Sequence, residues 1–296
     1  MYSINKIGEK NFSLILYCLL NRIPIIVVGN ELSEVDDFIA ELCDLMHFRK
    51  ELIYYTDFIS ESEHQNLCAN EEIDYNAQRI IIRCPSNVTL KALKTIKNLK
   101  SWVMGVKLPK DDSQRIKFLK ELMSEICTFF LIIKISEGMI SNELEGDNLE
   151  VFNLKMERQI LKKISQDTEN SIVRMKRVLL QKKLKDKIDE QTLTSLLDFS
   201  IEKEEIQKNI FKMEIQNFFS ASKRAFFILN RLNLLSSLGL DSSISAKILL
   251  STIDYQDASL ERLLSFIYHE WGEDFSLLLK NGKVANIGDH LESLWG

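Results

Sequence analysis

The chain has 296 residues, 45% hydrophobic and 27% charged, with three prolines, 10 glycines and a formal net charge of −5. This is an ordinary globular composition with enough chain for two cores, and too few prolines and glycines for long disordered stretches or a β-sandwich. The negative balance excludes a surface that is basic throughout but leaves room for a local basic patch, and no apolar run reaches the roughly 18 residues of a membrane span.

The first half alternates short apolar runs with helical patterns. A helix is expected over Asn11–Asn21, followed by strand-like runs at Ile23–Val28, Leu52–Tyr55, Arg79–Arg83, Trp102–Lys107 and Phe129–Ile135. These runs are rich in Ile, Val, Tyr and Phe without polar alternation, as strands buried on both faces are. Helices fit the intervals Glu34–Met46, Glu61–Glu71, Asn87–Leu99 and Ser113–Ile126. Strands alternating with helices predict β-α-β crossovers and a three-layer α/β domain on a mostly parallel, five-stranded sheet. The acidic stretch Glu137–Glu150 has no clear period and reads as the boundary, giving an α/β domain over 1–145 and a helical domain over 146–296.

The second half has no convincing strand. Leu161, Ile164, Thr168, Ile172, Met175 and Leu179 recur at helical spacing, as the core stripe of a long amphipathic helix does. Further helices are expected at Ile201–Ser236, Ser242–Thr252, Ala258–Trp271 and Phe275–Leu279, with Asp241 as a candidate N-cap and Gly239 just past a helix end. Charge is uneven. Leu154–Ile188 carries 11 basic and 4 acidic residues, net +7, whereas residues 1–150 carry 17 and 23, net −6.

The segment PIIVVGNELSEVDD, Pro24–Asp37, stands where a phosphate-cradling G-x-x-x-x-G-K-[ST] loop would join a strand to a helix. Counting from Gly29, the second glycine position holds Glu34, the lysine position Val35 and the hydroxyl position Asp36. A helix N-terminus attracts phosphate; Glu31, Glu34, Asp36 and Asp37 would repel it. Ser33 with Asp36 forms a candidate capping box. The order of strand, glycine turn, helix, four further strands and a helical appendix resembles a P-loop NTPase core followed by a helical lid. The resemblance implies a carboxylate at the end of the third or fourth strand; the third ends in Arg83 and Cys84 instead. Both signatures of that family are therefore missing together, and the resemblance implies a degenerate member.

Other groups were weighed. Ligands on open α/β sheets bind beyond the carboxyl ends of the strands. Convergence of Glu31, Asp57 and Asp111 there would give magnesium hard oxygen ligands and support phosphoester cleavage; ordinary helix capping explains the same residues. Lys155, Lys162, Lys176 and Lys183 fall at multiples of seven and share one helix face with Arg158 beside them, a candidate contact for an acidic partner or for phosphates. Phe152 is the one aromatic residue from 151 to 198, so base stacking is not served. His269, in an aromatic segment, has no nucleophile motif to act on. The five cysteines, Cys18, Cys43, Cys68, Cys84 and Cys127, are odd in number without C-x-x-C, as reduced thiols in a cytoplasmic protein are. The histidines are scattered, so no metal or other cofactor is expected. The expectation is a catalytically inactive, nucleotide-binding-like subunit that works through a protein partner or as a homo-oligomer, without membrane contact. The alternatives are a metal-dependent phosphoesterase or nuclease using Glu31, Asp57 and Asp111, and a nucleic-acid-associated subunit using 154–188.

Overall fold

A computed structural model describes residues 7–49, 51–54, 79–96, 101–126, 129–136, 139–145, 153–186, 198–240, 242–255 and 257–279. The elements run α1 (Glu9–Leu20), β1 (Ile25–Gly29), α2 (Leu32–Leu45), β2 (Glu51–Tyr54), β3 (Arg79–Pro85), α3 (Ser86–Ile96), β4 (Trp102–Lys107), α4 (Asp112–Glu125), β5 (Phe130–Ser136) and β6 (Met139–Glu145). Helices α5 (Lys155–Asp186), α6 (Ser200–Ser237), α7 (Ala246–Thr252) and α8 (Leu260–Trp271) follow, with a 3₁₀ turn at Ser276–Leu278. The expected helix at Glu61–Glu71 lies outside the described residues, as does Asp241.

The fold is α/β with a helical part. Its sheet has the order β2-β3-β4-β1-β5-β6. β1 to β5 are parallel, and β6 adds a sixth, antiparallel strand on β5. This order is neither the dinucleotide-binding 3-2-1-4-5-6 nor the flavodoxin-like 2-1-3-4-5. β1 is central, and each of its five residues is buried. Alternation sends Ile26 and Val28 to one face, where they share a core with Ile82, Met104, Ile132 and the inner sides of α3 and α4. Helix α2 packs on β1 and β4 through Val35, Phe38, Ile39 and Leu42, none of which belongs to that core. It therefore covers the opposite face, and the sheet is the middle of three layers.

The sixth strand was read from sequence as a boundary. Its inward residues Ile140, Asn142 and Leu144 are more buried than Met139, Ser141 and Glu143. Asn142 sits on the covered side because its amide donates to the Asn11 carbonyl of α1 at 3.1 Å. The Lys134–Glu143 pair at 2.7 Å adds a cross-strand contact on the exposed side.

Two compact units divide the chain, Met1–Ile215 and Gln216–Gly296. The reason is what α5 buries. Of its expected apolar stripe, Leu161, Ile164, Thr168 and Ile172 are buried, Met175 and Leu179 are half-buried, and Ile160 is buried beside them; the helix packs on α1 of the sheet unit. The first part of α6 runs antiparallel to α5 and is tied to it by Lys163–Glu214 at 2.8 Å and Lys203–Glu169 at 2.5 Å. Phe211 of α6 meets Phe12 of α1 edge-on at 5.7 Å. Arg49 donates to the carbonyls of Leu19 and Leu20 at 2.6 and 2.9 Å, satisfying the end of α1. The second unit has its own aromatic core, in which Phe218, Phe226, Phe266, Trp271 and Phe275 contact one another in a chain of ring pairs. Ser245 and Ser259 cap α7 and α8, and Gly272 closes α8 at φ 78°. No helix among the described residues is long and apolar enough to cross a membrane.

Asp44 at the end of α2 takes Lys208 and Lys212 of α6 at 2.5 and 2.6 Å. Partial burial pushes its carboxyl up, but hydrogen bonds and charge from the two lysines outweigh this and leave its pKa below the ordinary 3.8. A carboxylate whose pKa is depressed by folding contributes stability above its unfolded value, and that contribution is lost as pH falls through the folded value. Asp44→Asn is therefore expected to be less stable than the parent near neutral pH, by about 0.2–1 kcal/mol per pair lost. Urea midpoints measured in acid should converge below the ordinary carboxylate value, and a difference that persists there would contradict the account.

Candidate functional site

The carboxyl ends of β1 and β4 are where a ligand would be sought, because the chain leaves β1 onto one face of the sheet and β4 onto the other. The turn after β1 is short. Gly29 ends the strand, Asn30 and Glu31 form the turn, and α2 starts at Leu32. The helix thus begins earlier than the Glu34 expected from sequence. Glu31 is its N-cap and makes no side-chain capping bond, and Ser33 lies inside the helix, so the expected capping box does not start it.

The reason lies at Val35. A Cβ built on Gly29 would stand 2.7 Å from a Val35 methyl and 3.6 Å from the Ile135 side chain. Such a separation is closer than real side chains come, so glycine is what lets the helix sit against the strand end. Val35 itself is fully buried. The position that would carry a phosphate lysine is a packing residue of the core. Glu34 and Asp36 flank it at half-buried positions, and Asp37 is exposed.

The rest of the crevice is bonded to itself. The Leu108 amide after β4 donates to the Gly29 carbonyl at 2.8 Å. Arg115 of α4 donates to the Asn30 side chain at 3.2 Å and to the Pro109 carbonyl at 3.3 Å, and it pairs with Asp112 at 3.4 Å. Lys107, the last residue of β4, stands 3.7 Å from Glu31. Neither β3, ending in Arg83, Cys84 and Pro85, nor β4, ending in Val106 and Lys107, offers a carboxylate at its last residues. Arg115 and Lys107 were not foreseen as contributors. Their signal was available as two cations near the ends of a strand and a helix start, but nothing local marked their partners.

Asp111 is the N-cap of α4, accepting from the Gln114 amide at 3.3 Å and from the Ser113 hydroxyl at 2.6 Å. The Ser113 bond chiefly holds its carboxyl below the ordinary value. Glu31 faces Lys107, and Asp57 lies outside the described residues. Among the described residues, no three His, Cys, Asp or Glu side chains gather as a metal site would.

The basic face of α5 is the other candidate. Lys155, Arg158 and Lys162 are exposed and line an open groove of about 430 Å³ at the start of the helix, with Glu9, Asn153, Leu154 and Gln159. Lys176 is exposed farther along, its ammonium 6.0 Å from the Phe199 ring centroid. Lys183 belongs to the last turns of α5, and its side chain lies outside the described residues. No protein-family model, curated protein or solved structure matches the chain.

Gly29→Ala is expected to destabilise the protein by about 1–3 kcal/mol through overpacking, and Val35→Ala by a similar amount through a cavity. Because the two side chains would occupy the same space, the double variant should be clearly more stable than the sum of the single losses predicts. Additivity in denaturant unfolding would show that the two sites do not meet. Asp111→Ala should cost about 1 kcal/mol as a lost N-cap, read in the same unfolding measurements.

Proposed function

We propose that the sheet unit is a degenerate, P-loop-like nucleotide-binding domain that no longer binds nucleotide, and that the chain acts as an interaction or regulatory subunit. The burial of Val35 against Gly29 carries this reading. A lysine there would point into the core, and a two-residue turn has too few amides to ring a phosphate in the manner of a glycine-rich loop. Asn30 and Glu31 already bond to Arg115 and Lys107, so a ligand would have to break those contacts first. Three carboxylates, Glu31, Glu34 and Asp37, remain on the turn and first helical turns, where they oppose an anion.

The partner half of the reading draws on the second unit. Phe227 and Leu234 of α6 are each 58% exposed, and their spacing of seven puts them on one helix face; Leu238, in the turn just past the helix, is 70% exposed. Lys223 lies 6.0 Å from the Phe227 ring centroid at the edge of that face. Contiguous exposed apolar side chains on a helix mark interaction surfaces.

Calorimetry with Mg-ATP and Mg-GTP is expected to give no low-micromolar binding that protects the Gly29–Leu32 amides in hydrogen exchange; such protection would overturn the nucleotide half of the proposal. Restoring the motif as Glu34→Gly, Val35→Lys and Asp36→Thr should unfold or strongly destabilise the chain, because it buries a charge. For the partner half, Phe227→Glu with Leu234→Glu should abolish self-association in sedimentation, or capture of a stoichiometric partner whose cross-links map to α6. Sedimentation as a monomer together with no partner cross-linked to α6 would remove this support.

A further inference from the structure

The cations of α5 divide into two kinds. Lys163 is spent on Glu214 of α6, and its neighbours across the helix hairpin, Glu169 and Lys203, are spent on each other. Lys155, Arg158 and Lys162 point to the other side, and none of them forms an ion pair with a described residue. They stand at i, i+3 and i+7, on one face across two turns, or about 10 Å. Like charges at these spacings are unfavourable to the helix that carries them. Among the described residues Glu9 is the one carboxylate on the groove they line, which leaves the described lining at net +2. The Gln159 and Asn153 amides add polar donors on its walls. The helix end is not the source of this charge, because the Asn153 side chain already accepts from the Lys155 amide at 3.2 Å. Among the described residues no aromatic side chain lines the groove, so they offer a base no stacking platform.

We propose that this groove is a phosphate-binding site, in which Lys155, Arg158 and Lys162 contact the oxyanions of a ligand carrying two or more phosphates. Arg158 is central and supplies planar, forked donors, while the two lysines act as flanking point charges. Two sources share this chemistry: a free oligophosphate, and the backbone of a nucleic acid held without base readout. The inference does not depend on how the β1 turn is read, since the described lining comes from the start of α1, Asn153, Leu154 and the start of α5.

The full chain is titrated with tripolyphosphate in one arm and with a random-sequence DNA duplex in the other, each at about 50 mM and about 200 mM salt. Binding below about 1 mM is expected at the lower salt in at least one arm, and Lys155→Gln, Arg158→Gln and Lys162→Gln together should weaken it at least about tenfold. A triple neutralisation elsewhere, Lys110→Gln, Lys117→Gln and Lys120→Gln, should leave it within about twofold, since remote surface charges are screened. Tight duplex binding with a log–log salt slope near three, lost in the groove variant, identifies a nucleic-acid backbone; tripolyphosphate binding at least as tight as the duplex identifies a free oligophosphate. Should the triple groove variant lose helicity, Arg158→Gln and Arg158→Lys replace it, with loss in the first and partial retention in the second expected. Absence of binding in both arms, equal weakening by the two triple variants, unaltered binding by Arg158→Gln, or equally tight binding of a polyglutamate chain would each overturn the proposal.

Discussion

A Val35 methyl stands 2.7 Å from where any side chain on Gly29 would begin, so α2 can meet β1 only because that strand ends in glycine. The consequences spread outward. A helix held that close leaves room for just Asn30 and Glu31 between strand and helix. So short a turn does not enclose a ligand; it lies within reach of the chain leaving β4. Leu108 then bonds to Gly29, Arg115 to Asn30 and Lys107 to Glu31. The carboxyl end of the central strand becomes a packed corner whose turn residues are bonded to the chain after β4. In a glycine-rich phosphate loop glycine lets backbone approach a phosphate; here it lets a valine approach backbone.

The same corner shows why a likeness in chain order and a likeness in chemistry separate. Strand, turn and helix follow from apolar runs and a crossover, which many sequences supply. A phosphate cradle needs a particular loop length and particular donors, whereas the turn here is two residues long and the position that would hold a lysine is the buried Val35. Carboxylates on the turn then carry little penalty, since Glu31 has Lys107 beside it and the helix start favours negative charge.

Much of the sheet was legible because buried parallel strands leave a continuous apolar signature. Ile25–Val28, Trp102–Lys107 and Phe130–Ile135 could hardly be anything else. β6 was not, because an edge strand covered on one side shows only Ile140, Asn142 and Leu144 alternating, and the middle one is polar. Asn142 is tolerated there through a bond to Asn11, 131 residues away along the chain, which no local pattern can announce. The division into compact units was not legible for a related reason. The change from strand to helix grammar near residue 145 is real, but compactness follows what a helix buries, and α5 buries its stripe on the sheet unit. The start of α2 was placed late because Ser33 and Asp36 satisfy a local capping rule, whereas the tertiary contact of Val35 with Gly29 decides the helix start. At the start of α2, local chemistry lost to packing.

Polar groups inside a fold are generally satisfied by one another, and the two candidate regions of this molecule differ most in that respect. At the β1 corner, Glu31, Asp111, Asp112, Arg115 and Lys107 all have partners within the unit. That arrangement stabilises the corner and leaves little for a ligand to gain. On α5 Lys163, which faces α6, is likewise paired with Glu214, and its role is explained by the helix hairpin. The three at the start of the helix have no such explanation: they repel one another, line a common groove and bind no described carboxylate. Folding alone gives no reason to gather them, since alternating signs would serve a solvated helix face better. A cluster that costs the free helix stability persists when something outside the unit offsets that cost, and multiply charged oxyanions are the chemical class that the cluster's charge and spacing suit.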